Sequence, residues 1–115
     1  MSSPIALALA TLLISGAAAA DTAPPARVVV LTLKDHRFSP SQIAARPGER
    51  IRIELSNRDA ASEEFDSDDL RVERDVTPHG KVSFEIGPLQ PGRYSFMGEL
   101  HPDTAQGEIV VAPGD

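Results

Sequence analysis

Cysteine and tryptophan are both missing from this 115-residue chain, and the aromatic complement is four Phe and one Tyr. Without cysteine there is no disulfide, although the chain carries the marks of export to an oxidising compartment. A thiolate nucleophile, a thiolate metal ligand and a lipid-modified cysteine after the leading apolar run are excluded with it. So few aromatics leave the core to Val, Ile and Leu, which favours a sheet protein. Positive charge is also in deficit: 11 Lys and Arg against 17 Asp and Glu give a net charge of −6. That balance argues against nucleic acid and anionic membrane surfaces as partners. No apolar stripe of helical period and useful length is present, and no internal repeat. Neither the G-x-S-x-G elbow nor the H-E-x-x-H zinc helix occurs, so no hydrolase or transferase signature is available.

What is present begins with an apolar run, Ile5–Ile14, a Ser15-Gly16 break and Ala18-Ala19-Ala20 before Asp21. This reads as a cleaved secretory signal over residues 1–20, although its first residues carry no Lys or Arg. The run is shorter than the roughly 20 apolar residues of a membrane span. Residues 21–26 (DTAPPA) form a Pro-rich leader, and residues 27–115 are one domain's worth of chain.

Within the domain, Arg27–Leu33 is a β-branched strand and Ser41–Ala45 a short second one. Ile51, Ile53 and Leu55 alternate with Arg50, Arg52 and Glu54, the pattern of a half-buried strand. Asn57–Asp75 holds eight of the seventeen acids and reads as loop, with strand pieces around Phe65 and over Leu70–Val76. Val82, Phe84 and Ile86 alternate into a further strand, and Pro88–Gly92 turns the chain into Arg93–Phe96. Ile109–Val111 is the last strand. About seven short strands, with turns every 8–12 residues, predict an all-β, two-sheet sandwich or barrel.

The densest chemistry lies in Gly92–Gly107, where Met97, Glu99, His101 and Asp103 fall between the last two strands. Imidazole suits copper, zinc and iron, and a thioether selects copper, Cu(I) above all. With Tyr94 and Phe96 facing the core, Met97 falls on the opposite side or beyond the strand end, which weakens its reading as core filler. His36 follows the first strand, where a plain turn histidine is the competing reading. His79, in a Pro–Gly turn, reads as a bystander. Asp66-Ser67-Asp68-Asp69 resembles a calcium loop in part, but Arg71 stands where the EF-hand loop requires Gly.

Four groups of residues carry a family resemblance across the mature domain: Phe38-Ser39-Pro40 with Pro47-Gly48; Glu64-Phe65-Asp66-Ser67 with Leu70 and Glu73; Gly87-Pro88-Leu89-x-Pro91-Gly92-x-Tyr94-x-Phe96; and Gly98-Glu99-x-His101 leading to Gly107. In these the chain resembles the cupredoxin-like domains of bacterial ferrous-iron uptake systems. The resemblance implies a Greek-key β-sandwich in the periplasm that binds copper, iron or both. It further implies a role in Fe²⁺ oxidation or delivery, with a membrane iron permease or a periplasmic iron-binding protein as partner. By position, the implied metal site draws on His36, Glu64, Met97 and His101, with Glu99 as ligand or support. Glu63 replaces Glu64 if the register shifts by one, and Glu73 belongs to a second site.

One departure from the wider superfamily is decisive. A blue-copper centre needs a Cys thiolate beside two His, so intense blue type 1 chemistry is excluded. Two other readings stay open on the sequence: a copper-trafficking sandwich without redox chemistry, and a metal-free sandwich that binds a partner protein.

Overall fold

The computed structural model describes residues 25–114. The expected signal, residues 1–20, lies outside them. Nine strands are present among the described residues: β1 (Arg27–Lys34), β2 (Arg37–Ser39), β3 (Gln42–Ala45), β4 (Ile51–Asn57), β5 (Glu63–Ser67), β6 (Val72–Val76), β7 (Lys81–Ile86), β8 (Gly92–Gly98) and β9 (Gln106–Val111). They form two sheets, ordered β2-β1-β4-β7 and β3-β9-β8-β5-β6. The all-β sandwich expected from the sequence is what forms. Nine strands exceed the expected count of about seven because the first expectation was coarser. A short β2 pairs back onto β1, and the acidic stretch read mainly as loop holds the full strands β5 and β6.

Alternation explains each strand. In β4, Ile51, Ile53, Leu55 and Asn57 turn inward while Arg52 and Glu54 stay exposed. β1 places Val29, Leu31 and Leu33 beside them in parallel register, Val29 opposite Ile53 and Leu31 opposite Leu55. The turn through Ser39-Pro40 carries the chain from one sheet to the other, so that Ile43 of β3 lies parallel to Ile109 of β9. All four phenylalanines meet between the layers. Phe65 lies 5.9 Å from Phe38, 4.8 Å from Phe84 and 5.0 Å from Phe96, centroid to centroid. Two of the rings come from each sheet, so this cluster fastens the layers together. At Gly107 an added Cβ would collide with the Phe96 ring, which is why that position carries no side chain.

The acidic β5 fits the sheet because its parity is strict. Glu63, Phe65 and Ser67 are buried, whereas Glu64 and Asp66 are half-buried on the outer face. In β6, Val72 and Val76 turn inward, and Glu73 and Asp75 outward. On β5 the inner face is therefore apolar at Phe65 and polar at its two ends, Glu63 and Ser67.

Candidate metal centre

At the Glu63 end of the sandwich three segments distant in sequence converge. The β1–β2 turn brings His36, the start of β5 brings Glu63, and the loop after β8 brings His101. Ligand atoms of these three residues lie within 4.8 Å of one another. The two imidazoles stack, with centroids 3.7 Å apart and planes at 12°.

Each histidine has a carboxylate at its Nδ1. Glu63 Oε2 lies 2.5 Å from His101 Nδ1, and the Glu63 side chain is only 1% exposed. Its other oxygen, Oε1, accepts the Leu100 N–H at 2.8 Å and the Glu64 N–H at 3.0 Å. A buried carboxylate is stable only when its lone pairs are used, and here they are. Among the described residues no buried side-chain nitrogen or oxygen lacks a partner. Gly98 makes room for this carboxylate: a Cβ there would fall 2.6 Å from Glu63 Cδ and 2.7 Å from Ala105 Cβ. The loop is closed by the His101 and Ala105 N–H groups, which donate to Gly98 O and His101 O.

On the other side, Asp59 Oδ2 stands 3.5 Å from His36 Nδ1. Burial alone would push the Asp59 carboxyl up. The His36 and Asp35 N–H groups and the charges of the two imidazoles outweigh it and hold the group below its ordinary value. With Nδ1 facing a carboxylate on each ring, Nε2 is the remaining nitrogen. Hydrogen bonding at one ring nitrogen fixes the tautomer and raises the basicity of the other, the usual preparation of a histidine for a metal.

A second cluster lies on the outer face of the same strand. Carboxylate oxygens of Glu64, Glu73 and Glu99 lie within 4.8 Å of one another. Cross-strand pairs juxtapose Glu64 with Asp75 and Asp66 with Glu73. Partial burial, then the charges of Asp75, Glu73, Asp66 and Glu63, push the Glu64 carboxyl up. A hydrogen bond with Asp66, then the charges of Glu64 and Asp66, do the same for Glu99. Like charges directly opposite across a ladder are destabilising, and a bound cation relieves that repulsion.

The five residues that the sequence proposed as ligands are thus divided. His36 and His101 meet, but with Glu63; Glu64 and Glu99 meet on the outer face, with Glu73. Met97 pairs with Asp66 between the buried Phe96 and Gly98, which puts its 42% exposed side chain on that outer face. His79 is exposed in its turn, as expected. Sequence reading missed Asp59; its one local signal is Asn57 two residues earlier, a residue that bonds its own backbone two positions on. Two imidazoles, each with a carboxylate at its Nδ1, fit a borderline divalent ion such as Cu²⁺, Zn²⁺ or Fe²⁺.

Comparison with known proteins agrees with the fold. The metal-binding domain of a Cu(I)-exporting P-type ATPase from Streptococcus pneumoniae superposes with a TM-score of 0.63 at 13% identity, covering 74% of this chain and 84% of that one. Auracyanin A, a blue copper protein of Chloroflexus aurantiacus, gives 0.65 at 11% identity over 76% and 99%. Amicyanin from Paracoccus versutus gives 0.56 at 16% over 76% and 83%. At such identities the likeness is one of fold. An uncharacterized protein of Rickettsia prowazekii (strain Madrid E) is 42% identical over 83 residues, which cover 72% of this chain and 66% of that relative's length. Residues 4–111 match the family described as the cupredoxin-like domain, and the chain belongs to that family.

Proposed function

We propose that this protein is a periplasmic metal-binding cupredoxin-like domain that holds copper at His36 and His101 and receives ferrous iron on its acidic face. The observation that carries the reading is the convergence of two imidazoles, each backed by a carboxylate, at one end of the sandwich. His36 and His101 are the residues that would hold the ion, with Glu63 behind His101 at its Nδ1. Copper bound there supplies a one-electron acceptor, Cu²⁺ to Cu⁺, which balances the oxidation of one Fe²⁺ to Fe³⁺. The chain's own part is positional: Glu63 keeps the Nδ1 proton of His101, and the sandwich end shields that carboxylate from water.

Glu64, Glu73 and Glu99 are suited to gather Fe²⁺, a cation that accepts carboxylate oxygens, with Met97 and Asp66 beside them. Glu63 and Glu64 are consecutive, so the two clusters lie back to back across a single strand. The Glu64 N–H, donating to Glu63 Oε1, joins them directly. Ferric iron would then pass to a membrane permease, the partner that the family resemblance implies.

The test is a Cu²⁺ titration followed by electron paramagnetic resonance, with Fe²⁺ oxidation measured on the loaded protein. One equivalent bound through nitrogen, lost in His101→Ala, and faster Fe²⁺ oxidation that Glu99→Gln abolishes, is the expected result. Tight binding without any effect on Fe²⁺ would assign copper trafficking instead. No stoichiometric binding would leave a metal-free partner-binding sandwich. Cell fractionation checks the periplasmic location.

A further inference from the structure

The chain from Asp59 to the start of β5 supplies a carboxylate to each histidine, and Asp59 also binds the backbone of the turn that carries His36. We propose that Asp59 is a positioning residue for the metal centre, fixing the His36 backbone and ring in the arrangement that stacks on His101. This rests on the metal-binding reading, and its test separates the two.

Asp35 and His36 both have positive φ, 52° and 58°. Two consecutive L-residues in the left-handed region are disfavoured by contact between Cβ and the backbone. Such a run turns its successive N–H groups to one side and forms a concavity for an anion. Here the anion comes from within the protein. The Asp35 N–H donates to Asp59 Oδ1 at 2.7 Å and the His36 N–H to Asp59 Oδ2 at 2.9 Å. The same Oδ2 lies 3.5 Å from His36 Nδ1, so one carboxylate constrains both the backbone and the ring of this histidine.

Asp59 is itself held rigidly. Its N–H donates to Asn57 Oδ1 at 2.9 Å, and the Asn57 amide donates to Ala61 O at 2.8 Å and Thr77 O at 3.1 Å. Asn57 is 1% exposed, so this network is not open to exchange with water. The Asp59 carbonyl accepts the His79 N–H at 3.1 Å, and Arg58 N–H ties the connection to Leu33 O of β1 at 2.8 Å. A carboxylate fixed from this many directions transmits its position to His36.

The experiment compares the full chain with Asp59→Asn and Asp59→Ala. Asparagine keeps one carbonyl acceptor for the turn but loses the charge and the second acceptor, so it carries the test if the alanine variant fails to fold. In the metal-free protein, nitrogen-15 spectra of the imidazoles and ring-to-ring contacts between His36 and His101 are read first; Cu²⁺ affinity and the electron paramagnetic resonance spectrum follow. Expected in Asp59→Asn are a preserved amide spectrum, shifted His36 ring nitrogens, lost ring contacts and Cu²⁺ affinity lowered about 10–100-fold. In a His36→Ala background, Asp59→Asn should cost nothing further, because it acts through that ring. Unchanged His36 signals in Asp59→Asn, or fully additive losses, would overturn the proposal. If the wild-type chain binds no Cu²⁺ while His36 still responds to Asp59→Asn, the copper reading falls and the positioning role stands.

Discussion

His36 and His101 come from opposite halves of the chain, yet their rings lie parallel at 3.7 Å. Two imidazolium ions would repel at that separation. The pair is tolerated because Glu63 and Asp59 stand at the two Nδ1 atoms. The site therefore sets a carboxylate against each imidazole, a surrounding that favours a cation.

Removing either imidazole tests this directly. His101→Ala should abolish stoichiometric Cu²⁺ binding, and His36→Ala should remove the nitrogen signature of the second ligand. Met97→Ala should leave the histidine centre unchanged, because its side chain projects from the outer face beside Asp66. Isothermal titration calorimetry with electron paramagnetic resonance reads all three; loss of copper in Met97→Ala would mean that the thioether does reach the centre.

Glu63 is the buried charge of the site, and truncating it is costly. Glu63→Ala strands the Leu100 and Glu64 N–H groups and leaves His101 Nδ1 without its partner. A fully buried donor left unmade costs about 1–3 kcal/mol, and these part-buried ones should fall toward the lower end. Glu63→Gln retains one acceptor and should lose less. Urea unfolding of the two variants checks the order; equal stability would show that the carboxylate does not satisfy those groups.

Gly98→Ala should disturb the same carboxylate from the other side. The new Cβ would fall 2.6 Å from Glu63 Cδ, and Ala105, 2.7 Å away, blocks the alternative retreat. Overpacking of this kind costs about 1–3 kcal/mol. Thermal unfolding and Cu²⁺ titration should fall together, since the displaced group is the one that holds His101.

The acidic face sets a pH trend. The carboxyls of Glu64 and Glu99 are raised above their ordinary value, so the folded state binds their protons more tightly than the unfolded chain does. Their contribution to stability is complete below the ordinary carboxyl range and is lost as pH rises through the raised values. Glu99→Gln should therefore raise Tm at neutral pH and have little effect in acid. A divalent cation should mimic the substitution at neutral pH. A Tm difference independent of pH would sink this account.

Phe65 joins the two sheets through Phe38, Phe84 and Phe96. Phe65→Ala should cost about 3–5 kcal/mol, a large share of the 5–15 kcal/mol typical of a whole domain. Differential scanning calorimetry would show it as a lowered, broadened transition.

The sequence by itself determined the fold class and most of the chemistry. Period-two alternation such as Ile51–Leu55 forces one face of each strand to be buried, and turn residues at regular intervals leave a two-sheet sandwich as the packed solution. The absence of cysteine excluded a thiolate copper centre without any coordinates. His36, His101 and the acids between Asn57 and Asp75 were legible as candidates because their functional groups are themselves the signal.

Which of them meet was decided only by tertiary structure. Strand parity is a matter of one residue: because Phe65 anchors the core, Glu63 must turn inward to His101 and Glu64 outward to Glu73 and Glu99. The same parity on β8 sends Met97 to the outer face, away from the histidines. Asp59 carries no local mark of its role beyond Asn57 two residues earlier. Its partners lie across the sheet, and a contact made by folding distant segments together leaves no trace in the spacing of either one.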